Sequence, residues 1–112
     1  MMKISELLSK IDLNLENKSA DIEHIINGVY ASDLLSDVMG FAKHGELWVT
    51  LQTHKNVAAI AGLKDLSGVI IVGNNKPDKE MLEKCTEDRI PVFTTNLSTY
   101  QVCGELYVIL NQ

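Results

Sequence analysis

Four consecutive β-branched residues, Val69 to Val72, place the strongest constraint on the fold of this chain. β-branched side chains favour extended backbone. A run of this length without polar residues is typical of a strand that is buried on both faces, as in sheets covered by helices on each side. The run therefore predicts a central strand of an α/β fold.

Segments with helical and extended patterns alternate from Ser32 onward. The predicted order is helix, strand, helix, strand, helix, strand, helix, and the strands are Glu46–Leu51, Val69–Val72 and Ile90–Thr94. Helices that cross over between strands imply parallel pairing and right-handed connections. The sequence thus predicts an α/β protein, a three-layer α/β/α sandwich with a mainly parallel sheet.

Apolar spacing predicts which faces of the helices are buried. The helix that begins at Ser32 is expected to bury Leu34, Leu35, Val38, Met39 and Ala42, with Gly45 as its stop. The last helix, Leu97 to Leu110, is expected to bury Val102, Cys103, Leu106, Ile109 and Leu110. Gly104 in this helix is expected to admit a close neighbour.

The first 31 residues follow a different pattern. Apolar spacing predicts a helix over Lys3 to Ile11, and the alternation around Leu13 and Leu15 predicts a short strand. Extended backbone is expected around a turn or bulge at Asn27-Gly28. We expect this part of the chain to add edge strands that run in another direction.

Composition narrows the function classes. A chain of 112 residues fits a single domain, 1–112. The net charge of -5 and the single Arg89 argue against nucleic acid as a partner. No apolar run approaches the roughly 20 residues needed to cross a bilayer. We expect a cytoplasmic protein without membrane contact.

Cysteine and histidine spacing indicates no metal site or cofactor. Cys85 and Cys103 form neither a CxxC pattern nor a zinc pattern, so reduced thiols are the simplest interpretation. His24, His44 and His54 lack the spacing of metal ligands. The phosphate-binding pattern GxxxxGK[ST] is absent as well.

Polar residues follow the predicted strands at one edge of the sheet. Ligands of parallel α/β sheets usually bind beyond the carboxyl ends of the strands, where helix N-termini can hold an anion. The candidate ligand-binding residues are Gly28, Tyr30, Ser32, Asp33, Gln52, Thr53, His54, Asn74, Thr95 and Asn96. In the alternative interpretation, Ser32, Thr53 and Asn96 are only helix caps.

Two longer stretches carry a family resemblance. Gly28 to Met39, followed by Leu47 to Val57, resembles the DRTGG domain, as do Leu63 to Leu66 with the Ile70 to Val72 strand, and Lys76 to Asp78. The resemblance covers nearly the whole chain. The pentad that names the family should fall near Glu23 to Gly28. Only Gly28 is retained there, and Asn27 stands where the preceding glycine would be.

The resemblance implies a fold similar to the N-terminal domain of HPr kinase/phosphorylase and, more distantly, to the N-terminal domain of Mur ligases. Members of the family also occur beside CBS domains and in phosphotransacetylases. The resemblance therefore implies a regulatory or assembly module rather than an enzyme.

Three functional interpretations follow. The first is a non-catalytic regulatory or ligand-sensing domain, homodimeric, that binds a small anionic or nucleotide-like ligand at the strand carboxyl edge. The second is an interaction module or scaffold for an enzyme or signalling protein, without a small ligand. The third is a small enzyme that uses His54 and Asp33.

Overall fold

The computed structural model describes all of residues 1–112. The helices are α1 (Ile4–Leu7), α2 (Leu35–Phe41), α3 (Lys55–Leu63), α4 (Lys79–Glu87) and α5 (Thr99–Leu110). The strands are β1 (Asn14–Leu15), β2 (Gly28–Ala31), β3 (Glu46–Thr50), β4 (Gly68–Ile71) and β5 (Val92–Thr94). They form one five-stranded sheet in the order β1-β5-β4-β3-β2.

The sheet is mostly parallel, as predicted. β2, β3, β4 and β5 pair in parallel, and only β1 runs antiparallel, beside β5. The predicted central strand is confirmed, because every residue of β4 is buried. For the first 31 residues the prediction is correct for β1 and wrong for β2. β2 joins the parallel set because its residues pair in register with β3, from Gly28 opposite Glu46 to Ala31 opposite Val49.

Successive side chains of each strand point to opposite faces of the sheet, so a separate core forms on each face. Helices cover both cores, which gives the predicted three layers. Trp48, Val69 and Val92 face α2, α3 and α4 in the first core. Leu47 and Ile70 belong to the second core, whose other members come from α1, α5, the remaining strands and the adjacent segments: Ile4, Leu7, Ile11, Ile26, Val49, Val72, Phe93, Val102 and Leu106. Trp48 is fully buried and donates its indole N–H to the Ser32 carbonyl at 2.8 Å, so its polar atom is satisfied.

Two predicted helices are shorter than expected. After Leu7 the backbone continues through tight turns, with bonds from Ser9 N to Glu6 O and from Lys10 N to Leu7 O, so the α-helical pattern stops. Ser32 does not begin α2. Its hydroxyl accepts from the Leu34 N–H in a local turn. Leu34, predicted to be buried, is consequently 64% exposed.

The last helix also differs from its prediction. α5 begins at Thr99, where Ser98 and Gln101 form a reciprocal capping box. Val102 and Leu106 are buried, whereas Cys103, Ile109 and Leu110 are only partly buried. Within the chain Gly104 has no close neighbour, because a Cβ built on it meets no atom within 4 Å. The glycine faces outward on the exposed side of the helix.

The two cysteines are free and differ in burial. Burial raises the pKa of the Cys85 thiol to about 12, and it also raises the pKa of the Cys103 thiol. Since the thiolate is the reactive form, we expect iodoacetamide at pH 8 to label Cys103 slowly in the native protein and Cys85 only after unfolding in urea. Peptide mass spectrometry after timed labelling measures both sites. Equal labelling of the two thiols in the native protein would contradict the structure.

Candidate functional site

The carboxyl ends of the four parallel strands lie at one edge of the sheet, which we call the carboxyl edge. The segments that follow β2, β3, β4 and β5 leave the sheet there. These segments bring together eight of the predicted site residues: Ser32, Asp33, Gln52, Thr53, His54, Asn74, Thr95 and Asn96. None of Ser32, Thr53 and Asn96 is a helix cap, since the N-cap residues are Leu34, His54 and Ser98.

The other two predicted residues lie apart from this edge. Gly28 begins β2 and pairs with Glu46, so it lies about 10 Å from the carboxyl end of its strand. Tyr30 packs against the first core, and its hydroxyl donates to Asp37 Oδ2 at 3.0 Å. Partial burial and the hydrogen bond to the Asp37 carboxylate raise the pKa of Tyr30. The phenol is thus part of the packing between β2 and α2.

Asp33 joins the ends of β2 and β3. Its Oδ1 accepts from the Thr50 hydroxyl at 2.9 Å and from the Leu51 N–H at 2.8 Å. The Gln52 side-chain amide donates to the Asp33 carbonyl at 3.0 Å. Charged acceptors make stronger hydrogen bonds than neutral ones. Asp33 therefore fixes the shape of the loop after β3 and positions Gln52.

His54 and Asp78 connect the first turns of α3 and α4. His54 Nδ1 lies 2.8 Å from Asp78 Oδ2, and the Asp78 N–H donates to the Thr53 carbonyl at 2.8 Å. Both side chains are mostly exposed. His54 thus pairs with Asp78, and Asp33 has other partners, so the structure does not bring together the His54–Asp33 pair of the enzyme interpretation.

The loop after β4 is held against the segment after β5. Gly73 and Asn74 both have positive φ, 71° and 63°. Their N–H groups donate to the carbonyls of Leu97 and Thr95 at 2.8 and 2.9 Å. Glycine and asparagine tolerate this left-handed backbone better than other residues. The side chains of Asn74 and Asn96 make no hydrogen bond within the protein and remain exposed.

α3 begins at the carboxyl edge with free donors. Its N-cap residue, His54, provides no side-chain cap, and the N–H groups of Lys55 and Asn56 take part in no hydrogen bond. Uncapped donors at a helix N-terminus attract anions. Lys55 adds a positive charge whose only ion pair, with Glu80 at 3.6 Å, is exposed. Asp33 and Asp78 bring negative charges to the same edge.

Sequence reasoning missed two residues that shape this edge, Thr50 and Asp78. Asp78 had a usable signal, since an aspartate that follows Pro77 and precedes a helical pattern is a common N-cap. Thr50 had none, because its role depends on Asp33, 17 positions away.

No group of three or more His, Cys, Asp or Glu side chains is placed to hold a metal ion. No helix combines the length and the apolar character that crossing a membrane requires.

A groove of about 830 Å³ lies beside β2 and α5. It runs along the open side of β2, between the N-terminal residues and the C-terminal half of α5. Val29, Leu106 and Ile109 are among its apolar walls, and Glu6 is its only charged residue. The predicted residue Gly28 lines this groove, as does Ala31 at the carboxyl end of β2, but none of the eight site residues at the carboxyl edge does.

Comparison with known proteins identifies the family. Residues 15–107, most of the chain, match the model of the DRTGG domain. The chain belongs to the DRTGG domain family. The predicted resemblance over nearly the whole chain is therefore confirmed. No curated protein matches the chain.

A solved DRTGG structure has the same fold. It contains the CBS and DRTGG domains of the regulatory region of Clostridium perfringens pyrophosphatase, complexed with the activator diadenosine tetraphosphate. The TM-score is 0.70 at 16% sequence identity, over 91% of the present chain and 44% of the pyrophosphatase chain. The present chain thus spans less than half of that structure.

The segment in which we expected the family pentad, near Glu23 to Gly28, lies at the amino end of β2. Asn27 precedes β2, and its side-chain amide donates to the His44 carbonyl at 3.3 Å. The same side chain lies against Gly45, whose φ is +79°. This segment therefore lies at the opposite edge of the sheet from the uncapped N-terminus of α3.

Proposed function

We propose that this DRTGG domain is a non-catalytic regulatory module that senses a small anionic or nucleotide-like ligand and acts as a homodimer. The ligand contacts the carboxyl edge, at the first turn of α3 and the loops around it. The observation that carries the proposal is the pair of free N–H groups of Lys55 and Asn56 beside the half-buried Gln52 and the exposed side chains of Asn74 and Asn96.

The comparisons support a regulatory role. The Clostridium perfringens pyrophosphatase region with the same fold is regulatory and binds a nucleotide activator. Diadenosine tetraphosphate carries a chain of phosphates, the type of group that free helix donors bind. A pyrophosphatase is also an example of an enzyme partner, so this domain is proposed to control an enzyme in the same way.

The contacts of the candidate catalytic side chains support the non-catalytic part of this proposal. Oδ1 of Asp33 accepts two hydrogen bonds, and the ring of His54 pairs with Asp78. The raised thiol pKa values of Cys85 and Cys103 make both poor nucleophiles.

Two free thiols fit a reducing compartment, which supports the proposed cytoplasmic location. One sheet shared by both cores supports a single domain over residues 1–112.

Ligand binding is tested by thermal unfolding of the protein with diadenosine tetraphosphate, ATP, AMP or inorganic phosphate. A ligand present at 100 times its dissociation constant adds about 2.7 kcal/mol to the free energy of unfolding. We expect at least one nucleotide to raise Tm by about 10 °C under those conditions in a domain of this size. No shift with any of the four probes would contradict the proposed ligand class.

A pair of charge reversals locates the binding surface. Lys55→Glu places a carboxylate at the first turn of α3, where it suits the helix dipole and repels an anionic ligand. Lys18→Glu makes the same charge change at an exposed position near the amino edge. We expect Lys55→Glu to abolish most of the thermal shift and Lys18→Glu to retain it. Equal shifts in both variants would place the ligand elsewhere.

The second candidate function is an interaction module without a small ligand. The observation that favours it is the apolar outer face of α5, where Tyr100 is 88% exposed and Tyr107 73% exposed. In that case the purified protein would show no thermal shift with nucleotides, and a stoichiometric partner would be captured through α5.

A further inference from the structure

α5 is apolar on its exposed side as well as on its buried side. One of its twelve residues is charged, compared with five of the nine residues of α4. Its inward residues, Val102 and Leu106, belong to the second core. Its exposed residues include the apolar Tyr100, Tyr107 and Val108 as well as the polar Thr99, Gln101 and Glu105. The outer side of α5 therefore carries an apolar surface that nothing in the chain covers.

The exposed residues of α5 form a continuous stripe. Tyr100, Gly104, Tyr107 and Val108 follow the spacing of one helix face. Tyr100 is 88% exposed and Val108 is 60% exposed. A shallow groove of about 530 Å³ runs along this face. We call the four residues the α5 stripe.

Two charges flank the stripe, and both lack a partner. Lys10 and Glu105 line the shallow groove together with Tyr100 and Gly104. Neither residue takes part in any of the ion pairs of the protein. One positive and one negative charge on the same face make that face complementary to itself. In a two-fold contact the Lys10 of one copy can pair with the Glu105 of the other.

We propose that the α5 stripe is the surface through which two copies of this chain associate, with their α5 helices crossing at Gly104. This assignment rests on the homodimer of the proposed function and specifies where its interface lies. A two-fold axis at Gly104 places Tyr100, four residues before it, against the partner subunit's Val108, four residues after it. Gly104 leaves space for the helices to approach closely, because no atom lies within 4 Å of a Cβ built there.

Overall charge favours this face over the others. Each copy carries a net charge of -5, so two copies repel one another at most orientations. The α5 stripe is bordered by one lysine and one glutamate, whose opposite charges cancel. The exposed face of α4 is densely charged in comparison. A second copy therefore meets the least repulsion at α5. A helix of this length spans about 18 Å, so the interface would lie near the lower end of stable sizes.

The interface is tested by sedimentation velocity of the full chain over a range of protein concentrations. We expect wild type to show a concentration-dependent dimer. Gly104→Arg places a long cation at the crossing point and should raise the dimer dissociation constant by about tenfold or more. Gly40→Arg is the matched control, because Gly40 is also helical, exposed and without any atom within 4 Å of a built Cβ. It should leave the dimer unchanged.

Charge exchange gives a second, independent measurement. Lys10→Glu and Glu105→Lys should each weaken the dimer, and the double variant should restore it, because the two-fold contact pairs these positions. A dimer that survives Gly104→Arg, or that is weakened equally by Gly40→Arg, would overturn the assignment of the surface. A wild-type protein that stays monomeric at every concentration would overturn the proposed homodimer too. Nucleotide-induced thermal shifts of the Gly104→Arg variant report on the ligand proposal separately.

Discussion

Replacing Asn17 with alanine is expected to lower the free energy of unfolding by about 3 kcal/mol, a large part of the 5–15 kcal/mol typical of such domains. Asn17 is 5% exposed and follows β1. Its amide donates to the Ile90 carbonyl at 2.8 Å and to the Thr86 hydroxyl at 3.2 Å, and its Oδ1 accepts from the Val92 N–H at 2.9 Å. The substitution leaves two buried backbone groups of the β5 region without partners, which is the physical reason for the cost.

The measurement is urea unfolding of the variants and of wild type. Where the free energy of unfolding depends equally on urea concentration in both proteins, a change in the midpoint reports a change in stability alone. Asn14→Ala is the matched control. Asn14 lies three positions earlier, is exposed, and its side chain makes no hydrogen bond. We expect the free energy of unfolding of this variant to stay within about 0.5 kcal/mol of the wild-type value. If both asparagine variants lost the same stability, Asn17 would not have the bonding role described here.

Replacing Gly45 with alanine is the second substitution with a large expected effect, a loss of about 2 to 3 kcal/mol. Gly45 has a φ of +79°, a conformation that costs an L-residue with a Cβ about 1 kcal/mol or more. A Cβ there would also lie 2.8 Å from Asn27 Cγ, which is closer than real contacts allow. The two costs have different origins and can be separated.

A double-mutant cycle with Asn27→Gly separates them. Glycine at position 27 removes the side chain that a Cβ on residue 45 would meet. Gly45→Ala should therefore cost about 1 kcal/mol less in the Asn27→Gly background, with only the backbone term remaining. Gly40→Ala is the control and should raise stability slightly, since this helical glycine has no neighbour within 4 Å of a built Cβ. Additive costs would show that Asn27 does not restrict Gly45.

Some elements follow from local pattern alone. The buried run at β4 has no polar residue, so its strand assignment depends on no distant contact. The Lys79–Glu83 ion pair of α4 also acts within four positions. The capping box of α5, Ser98 with Gln101, is equally local, although the sequence pattern indicated Asn96 as the cap. These elements could be predicted because their stabilising interactions are short in sequence.

Other features depend on contacts between distant positions. Ser32 and Asp33 look like the start of a helix, but Asp33 binds Thr50 and Leu51 instead, and α2 begins at Leu35. The direction of β2 depends on its pairing with β3, since a strand pattern is the same in either direction. The placement of the site residues likewise follows from strand direction, which is why Gly28 lies at the opposite edge from His54.

The sequence by itself determined the α/β class, the central strand and the mainly parallel sheet, because hydrophobic periodicity and the order of the elements can be read along the chain. Its resemblance in particular stretches also indicated the DRTGG family. Only the tertiary structure decided which polar residues are available to a ligand or a partner. Asp33 and Asn17 are occupied by bonds to residues 17 to 75 positions away, whereas Lys55 N–H, Asn56 N–H and the α5 stripe are left free. Whether a residue is free to bind depends on every residue that surrounds it in space. A sequence pattern shows only the residues that are its neighbours along the chain.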